Sequence, residues 1–368
     1  MNVRYSYLKE QFSNCNDLWK NLKNFVSTGD FTLGKELLKF EKGFAKLIGT
    51  KYAVGVNSGT DAIKIPLKLL GIGPGDEVIT AANTFVATVG AIKEIGAKPV
   101  FVDCDDTFCM NVKLIEKKIT KKTKAIVPVH FTGYMTYMPE IKKISKKYKL
   151  PVVEDACQSI LGEVNNKKAG TWSEFGAFSL HPLKNINVWS DGGIITTNNY
   201  GYYKKLLLLR NHGLENRDTV KISGYNSRLD TFQAVVGNWL LPKAKSIAKK
   251  RIQNARYLDK KLSKIEGITI PPRLKNYKIV YHLYIIFAKN RDKLLKHCLK
   301  KKIEAKIHYP KPMYLQQAVK ELGHKRGEFP ITDKHTKVGI SFPCDQHLKK
   351  KHLDYIIKTV EEFYKSNK

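Results

Sequence analysis

Three short stretches of the chain combine residue types that could hold a phosphate and carry out amine chemistry. The first, Asn57-Ser58-Gly59-Thr60, follows an apolar strand pattern and precedes a helical one. A Ser-Gly-Thr turn at a helix N-terminus offers free backbone N–H groups, two hydroxyls and the positive end of the helix dipole, all of which favour a phosphate. Serine and threonine also cap helices for structural reasons alone. This stretch therefore leaves both interpretations open.

The second stretch places a carboxylate, Asp155, at the end of the apolar strand pattern Val153-Glu154-Asp155. Ligands of parallel α/β sheets bind at the carboxyl ends of the strands. Asp155 would therefore lie in the ligand crevice, where a carboxylate could hold a protonated ring nitrogen. A helix N-cap is the structural alternative.

The third stretch contains a lysine, Lys184, in a loop that follows the strand pattern at residues 175–180. Most lysines of the chain lie in charged helical runs, whereas the neighbours of Lys184 are mostly uncharged. A lysine in such surroundings can lose its proton and form a Schiff base. A surface position is the alternative, and it is the common one for a single loop lysine.

The three stretches are more informative together than apart. Asp155 comes 95 residues after Thr60, and Lys184 comes 29 residues after Asp155. This order supplies a phosphate cradle, a partner for a pyridinium nitrogen and a Schiff-base lysine. Pyridoxal 5'-phosphate requires these three functions from its protein.

Alternating segments between residues 40 and 200 could position these groups. Strand patterns alternate there with helical patterns of 10–15 residues, which predicts β-α-β units and a largely parallel sheet. The strand patterns cover residues 52–56, 77–81, 99–103, 125–129, 151–154, 175–180 and 193–197. The helical patterns cover residues 39–48, 60–70, 85–95 and 138–148.

The pattern changes after Leu229. A long helical stretch is predicted from residue 230 to 265, with an interruption near Pro242, and further patterns follow at residues 279–287, 291–301 and 348–366. We therefore predict an α/β protein with a large domain at residues 1–240, whose central sheet is mostly parallel and flanked by helices. A smaller α+β domain would span residues 241–368.

The composition limits the possible partners. The chain has 368 residues, and 65 Lys+Arg against 33 Asp+Glu give a net charge of +32. The charge is mostly lysine and is spread along the chain, whereas nucleic-acid readers rely on arginine for forked contacts. We therefore expect solvated helix faces and no nucleic-acid partner, although such a surface would attract an anionic substrate.

The sequence also indicates a compartment. No apolar run approaches the roughly 18–20 residues that span a bilayer, and the first five residues lack the apolar segment of a signal peptide. We therefore expect no membrane partner and a cytoplasmic protein. The six cysteines form no C-x-x-C pair, so no metal site is predicted. They are Cys15, Cys104, Cys109, Cys157, Cys298 and Cys344.

The ordered motifs resemble those of the DegT family of PLP-dependent nucleotide-sugar aminotransferases, which have fold type I. The resemblance extends over nearly the whole chain. Besides the three stretches above, it is carried by residues 29–34, 40–41, 83–88, 129–130, 133, 178–184, 191–193 and 226–230.

The resemblance implies a role for each matching residue. Lys184 and Asp155 would be catalytic, Lys184 as the covalent lysine and proton shuttle, Asp155 as the ring-nitrogen partner. Gln158 would bond near the phenolic oxygen of the cofactor, and Phe85 would stack on its ring. Asn226 would reach the phosphate of a neighbouring subunit, which implies a homodimer with shared sites. The phosphate itself would be held by Ser58, Gly59, Thr60 and Ser179.

The resemblance also implies a reaction. One branch of the family has histidine in place of the lysine and acts as a dehydratase, so Lys184 favours transamination, through pyridoxamine 5'-phosphate as intermediate. L-Glutamate, the usual donor of the family, would supply the amino group to a keto sugar on a nucleoside diphosphate, for a surface polysaccharide or glycan sugar. A 4-keto sugar, a cyclitol or small phosphorylated ketone, and regulatory binding of PLP without catalysis are the alternatives.

Several residues bear on the substrate. Asp191-Gly192-Gly193, the segment at residues 226–230 and the segment around His308 resemble the branch that aminates 3-keto sugars. His308 and Tyr309 would line the sugar pocket, with a domain-interface pair as the alternative. His181 could contact substrate or be a packed loop residue. Arg228 could pair with a substrate anion or hold the dimer interface.

Overall fold

The computed structural model describes residues 1–366, in which helices and strands alternate around sheets. The helices are α1 (Leu8–Gln11), α2 (Asn16–Val26), α3 (Lys35–Ile48), α4 (Gly59–Leu69), α5 (Val86–Glu94), α6 (Met138–Tyr148), α7 (Tyr200–Leu209), α8 (Thr231–Leu240), α9 (Ala244–Leu262), α10 (Arg291–Lys300), α11 (Pro330–Val338) and α12 (Lys350–Lys365). The strands are β1 (Tyr52–Val56), β2 (Glu77–Ala81), β3 (Lys98–Val102), β4 (Thr123–Val127), β5 (Val153–Asp155), β6 (Glu163–Val164), β7 (Lys167–Lys168), β8 (Phe175–Ser179), β9 (Gly193–Thr197), β10 (Ile268–Thr269), β11 (Tyr277–Lys278), β12 (Tyr284–Ala288) and β13 (Gly339–Phe342).

Two ladders of strands form the central sheet. One has the order β1-β9-β8-β5 and the other β3-β2-β4, and parallel bridges from Ile126 to Val152 and from Val129 to Asp155 join them. Strand β9 is antiparallel to both of its neighbours, while the β5–β8, β2–β3 and β2–β4 pairs are parallel. The predicted mostly parallel α/β sheet is confirmed. The carboxyl ends of its parallel strands meet at one edge, which is where ligands bind in such sheets.

Helix α4 begins at this edge and packs its apolar face on the sheet. Ser58 is the N-cap, and its hydroxyl accepts a hydrogen bond from the Asp61 N–H at 3.1 Å. Ile63, Ile65 and Leu67 of the helix are fully buried, and burial of each such side chain contributes about 1.5–3 kcal/mol. The turn at residues 57–60 is therefore anchored from both sides, by β1 before it and by α4 after it.

Two predicted elements, α3 and β12, begin more than two residues away from their predicted starts. Helix α3 begins at Lys35, four residues before the prediction, because Asp30 accepts a hydrogen bond from the Lys35 N–H at 2.7 Å and orders the first turn. The predicted interruption near Pro242 is present as a 3₁₀ turn, Leu241–Lys243, because Pro242 has no N–H to donate. Strand β12 starts only at Tyr284.

The last difference concerns residues 279–283, which the sequence pattern assigns to a strand. The Val280 N–H donates to the Gly133 carbonyl at 3.1 Å, and the Leu283 N–H donates to the Thr132 carbonyl at 3.2 Å. These two N–H groups therefore donate to carbonyls of a loop next to β5, and not to carbonyls of a neighbouring strand. The consequence is that His282, between them, faces the edge of the central sheet.

The C-terminal part has its own antiparallel sheet, in the order β10-β12-β13, and contacts between α9, α10 and α12 build a second apolar cluster beside it. The N-terminus joins this part, because Val3 pairs with Ile303 and the Tyr5 N–H donates to Glu304. The domain division after residue 240 stays a prediction. No helix within residues 1–366 is long and apolar enough to cross a bilayer.

Candidate active site

A cavity of about 310 Å³ opens at the carboxyl ends of β5 and β8, beside the N-terminus of α4. It brings together most of the residues that the sequence singles out, although these are far apart along the chain. They are Ser58, Gly59, Thr60, Phe85, Asp155, Gln158, Ser179, His181, Lys184, His308 and Tyr309.

The N-terminus of α4 and the end of β8 approach each other closely at one side of the cavity. A Cβ atom on Gly59 would lie 2.7 Å from the Ser179 Cβ and 3.0 Å from its Oγ, so only glycine fits there. The first N–H groups of a helix have no carbonyl partner within it. Gly59 and Thr60 therefore present backbone donors, with the Thr60 and Ser179 hydroxyls beside them, in a cradle that suits a phosphate.

Replacing Gly59 by alanine is expected to weaken binding of a phosphate-bearing cofactor by about 10–100-fold, since the added methyl must push α4 away from Ser179 at a cost of about 1–3 kcal/mol. The dissociation constant can be measured by fluorescence titration with PLP. The Gly90→Ala variant is the matched control, because a Cβ at Gly90 in α5 meets no atom within 4 Å. Equal affinity in both variants would contradict the cradle.

Asp155 is buried at the end of β5 and its carboxylate is oriented by two hydrogen bonds. The Thr88 hydroxyl donates to Oδ2 at 2.7 Å, and the Cys157 N–H donates to Oδ1 at 3.2 Å. Thr88 itself is 2.7 Å from the Thr84 hydroxyl. Each carboxylate oxygen can accept a further bond, so Asp155 keeps the capacity to receive an N–H from the cavity.

Lys184 lies opposite, in the loop between β8 and β9. Its backbone N–H donates to the His181 carbonyl at 2.8 Å, which closes a tight turn. Burial lowers the pKa of the Lys184 amine, although the nearby Cys157 and Asp155 oppose the shift. A lowered pKa makes the neutral amine, the form that attacks carbonyl groups and accepts protons, more accessible.

Gln158 and Tyr309 border the space between these groups. The Gln158 Oε1 accepts a hydrogen bond from the Thr132 N–H at 2.8 Å, and the Gln158 and Tyr309 side chains both line the cavity. Burial raises the pKa of Tyr309. The Tyr309 ring lies 6.0 Å from that of Phe85, which is 49% exposed at the start of α5. Phe85 therefore has a free ring face beside the cavity.

Two histidines complete the predicted set. The His308 Nδ1 is 2.8 Å from the Ser341 hydroxyl, and burial, followed by the charges of Lys306 and Lys184, lowers the pKa of His308 to about 4. His181 is more exposed, its Nδ1 accepts the Leu183 N–H at 3.2 Å, and burial lowers its pKa as well. Both imidazoles are therefore neutral at pH 7.

Sequence reasoning missed several residues of the cavity wall, among them Tyr5, Arg251, His282 and Lys306. Arg251 could have been noticed, because it is a buried arginine on the apolar face of α9, with Ala248 and Ala255. Its guanidinium donates to the carbonyls of Tyr281 and His282 at 2.9 Å each. No sequence signal distinguishes His282, whose pKa burial lowers well below its usual value.

The structure does not bring Asn226 and Arg228 into this cavity. Both line a second one of about 330 Å³, together with Asn57. Arg228 donates to Asn211 at 3.0 Å, while the Asn226 side chain is exposed. Ser227 between them donates to Asp61 of α4 at 2.7 Å. The second cavity is thus on the other side of the helix N-terminus that forms the phosphate cradle.

These residues fit pyridoxal phosphate. A cradle that a single Cβ would fill suits its phosphate, the buried Asp155 suits a protonated ring nitrogen, and Lys184 suits its aldehyde. The exposed face of Phe85 suits its ring. Within residues 1–366 no group of three or more His, Cys, Asp or Glu side chains could hold a metal ion.

Comparison with known proteins identifies the family. The sequence profile of the DegT/DnrJ/EryC1/StrS aminotransferases matches residues 14–361. The chain belongs to this family. The predicted fold type I and the predicted pyridoxal phosphate-dependent aminotransferase activity are thereby confirmed. Similar solved structures include the PMP form and the PLP form of Spr1654 from Streptococcus pneumoniae, described as a putative sugar aminotransferase, and NtdA of Bacillus subtilis with bound PMP.

Individual members of the family are similar over almost their full length. A protein of Geobacillus stearothermophilus described as a pleiotropic regulatory protein is 36% identical over 99% of both chains. The dTDP-3-amino-3,4,6-trideoxy-alpha-D-glucose transaminase of Streptomyces venezuelae is 34% identical over 92% of this chain and 89% of its own. The crystal structure of S. venezuelae DesV with a ketimine intermediate has 32% identity, a TM-score of 0.96 and coverage of 99% and 98%.

Proposed function

We propose that this aminotransferase moves an amino group from L-glutamate to the C-3 carbonyl of a keto sugar carried on a nucleoside diphosphate. The products would be 2-oxoglutarate and the 3-amino sugar. The observation that carries the proposal is the single cavity in which Lys184, Asp155 and the phosphate cradle meet. The similarity to the Streptomyces venezuelae transaminase, whose name specifies a 3-amino sugar, supports the choice of substrate.

When bound, pyridoxal phosphate supplies an aldehyde for bonds to amines and a ring that withdraws the electron pair left by a departing proton. Asp155 would keep a proton on the ring nitrogen, held by the bonds from Thr88 and Cys157. The Lys184 Nζ would take the α-proton from glutamate and later return a proton to C-3 of the sugar. Phe85 and Tyr309 would cover the cavity and exclude water.

The alternatives from the sequence remain distinguishable. A 4-keto sugar, a cyclitol or a small phosphorylated ketone would use the same Lys184 and Asp155, so only substrates separate them. A similar protein of Geobacillus stearothermophilus is described as regulatory, which is the one observation in line with the alternative of PLP binding without catalysis. The joint presence of Lys184, Asp155 and Gln158 in one cavity supports catalysis instead.

A spectroscopic titration tests the proposal. The protein loaded with PLP is bleached with L-glutamate, and nucleotide-linked 3-keto and 4-keto sugars are then added separately. We expect the yellow absorbance to return with the 3-keto sugar. If the absorbance returns only with the 4-keto sugar, the enzyme aminates C-4 instead of C-3. If glutamate does not bleach the absorbance, glutamate is not the amino donor.

We also propose a homodimer with shared sites. The exposed Asn226 beside the phosphate cradle, together with the exposed ring of Phe31 in the same second cavity, supports an interface on this face. The reducing cytoplasm is the proposed compartment, because the six cysteines are free thiols.

Mixing two inactive variants tests the shared site. In a dimer of one Lys184→Ala subunit and one Asn226→Ala subunit, one site would carry both substitutions and the other would carry neither. Random reassortment of equal amounts makes half of the dimers mixed, so about a quarter of wild-type activity is expected at limiting PLP. Sites confined to one subunit would instead show no gain over the average of the two separate variants.

A further inference from the structure

One wall of the cavity carries a lysine that the mechanism above does not use. Lys306 lies in the segment before His308, and two backbone hydrogen bonds with Ser341, at 2.9 and 2.8 Å, fix that segment against β13. Its Nζ is 4.6 Å from the centre of the Tyr5 ring. The nearby Glu304 carboxylate accepts a hydrogen bond from the Tyr5 N–H at 2.7 Å.

Lys306 has no carboxylate of its own. No Asp or Glu oxygen within residues 1–366 comes within 4.0 Å of its Nζ, although 33 acidic residues are available in the chain. The other strong cation of this wall is engaged, because Arg251 bonds two carbonyls and Gln346 and lies 3.7 Å from Asp345. Lys306 is therefore the unpaired positive charge on this side of the cavity.

The position of Lys306 relates it to the reacting centre. Lys306, His308 and Lys184 line the same cavity, and the charges of both lysines act on the His308 imidazole. A substrate held at Lys184 would extend toward Lys306. One ammonium beside the hydroxyl-bearing ring of Tyr5 suits a single carboxylate, whereas a diphosphate calls for several donors.

We propose that Lys306 is a specificity-determining residue that binds a carboxylate of the substrate during transamination. This rests on the proposed function. The carboxylate can belong to either substrate, because both substrates enter the same cavity in turn and the Lys306 ammonium would bind either one. The two possible sources are the γ-carboxylate of L-glutamate and the C-6 carboxylate of a uronic acid sugar.

Separate half-reactions with wild type and Lys306→Met distinguish the sources. Methionine keeps the stem over Tyr5 and removes the charge. The loss of yellow absorbance is timed with L-glutamate and its neutral analogue L-glutamine, then with nucleotide-linked 3-amino-3-deoxyhexuronic acid and 3-amino-3,6-dideoxyhexose. In Lys306→Met we expect kcat/KM to fall 10–100-fold for the charged member of one pair and to stay the same for its neutral member. A hydrogen bond to a charged group contributes about 1.5–3 kcal/mol, which corresponds to this loss.

Two further variants make the result specific. Lys306→Arg retains the charge and is expected to recover most of the loss, while Lys311→Met removes a nearby exposed lysine that does not line the cavity and is expected to change nothing. An equal loss of kcat/KM for the charged and the neutral sugar would assign Lys306 to the diphosphate and so overturn the proposal. No loss of kcat/KM in either pair would also overturn it. If the wild type reacts with glutamate but with neither amino sugar, the proposed sugar substrate is refuted. The comparison of glutamate with glutamine would then still test whether Lys306 binds a carboxylate.

Discussion

The Lys184→Ala variant is expected to lose at least about 10⁴-fold in the transamination rate, because it removes the amine that moves the proton between donor and acceptor carbons. It should also bind PLP without a covalent bond. Borohydride treatment followed by mass spectrometry measures that bond directly, since wild type retains the mass of the reduced cofactor on the peptide that contains Lys184 and the variant does not.

Two comparisons separate this effect from a loss of charge or of folding. Lys184→Arg keeps a cation in the loop but cannot perform the amine chemistry, so it is expected to be as inactive as the alanine variant. Lys146→Ala, on the exposed face of α6, is expected to match wild type. Substantial turnover by Lys184→Ala would remove the central residue of the proposed function.

Asp155→Asn is expected to reduce kcat by about 10²–10³-fold, because a neutral amide cannot stabilise a proton on the ring nitrogen. The substitution preserves shape. Its Oδ1 can still accept the Cys157 N–H, and its NH₂ group can donate to Thr88, whose hydroxyl can turn toward Thr84. The variant should therefore fold and bind PLP, and single-turnover kinetics with L-glutamate measure the loss in the proton-transfer step.

The matched control is Asp106→Asn, since Asp106 is exposed and its salt bridge to Lys334 is long, at 4.0 Å. It is expected to leave kcat unchanged. A small loss in Asp155→Asn, similar to that of the control, would show that the ring nitrogen needs no carboxylate at this position.

The central part of the site was predictable because its signals are local. Gly59 stands in a turn between a strand and a helix, and Asp155 stands at a strand end, so the neighbouring residues indicate both the geometry and the edge of the sheet. Lys184 follows a strand in the same way. For these three the sequence pattern and the structure agree on position.

On the opposite wall, His308 and Tyr309 were predicted from the family resemblance, but His282 and Lys306 were not, because their positions depend on distant segments. His282 faces the cavity only because residues 280 and 283 bond the loop at 132–133, about 150 residues earlier. Lys306 is one lysine among many, and its isolation from carboxylates is a property of the folded chain. Strand β12 was placed too early for the same reason, since the hydrophobic pattern does not reveal which backbone partner an apolar residue takes.

The reversed strand β9 has a consequence for the order in which the protein is assembled during synthesis. Strands β8 and β9 are neighbours in the chain, whereas β1 pairs with β9 across a separation of about 145 residues, from Tyr52 to Thr197. Closing so long a loop costs roughly 4 kcal/mol of chain entropy. This pairing, together with the packing of α4 on β8 and β9, brings together the phosphate cradle after β1 and the lysine loop before β9. We therefore expect a nascent chain to capture its cofactor only after residue 197 has left the ribosome, so that cofactor capture would report closure of the sheet.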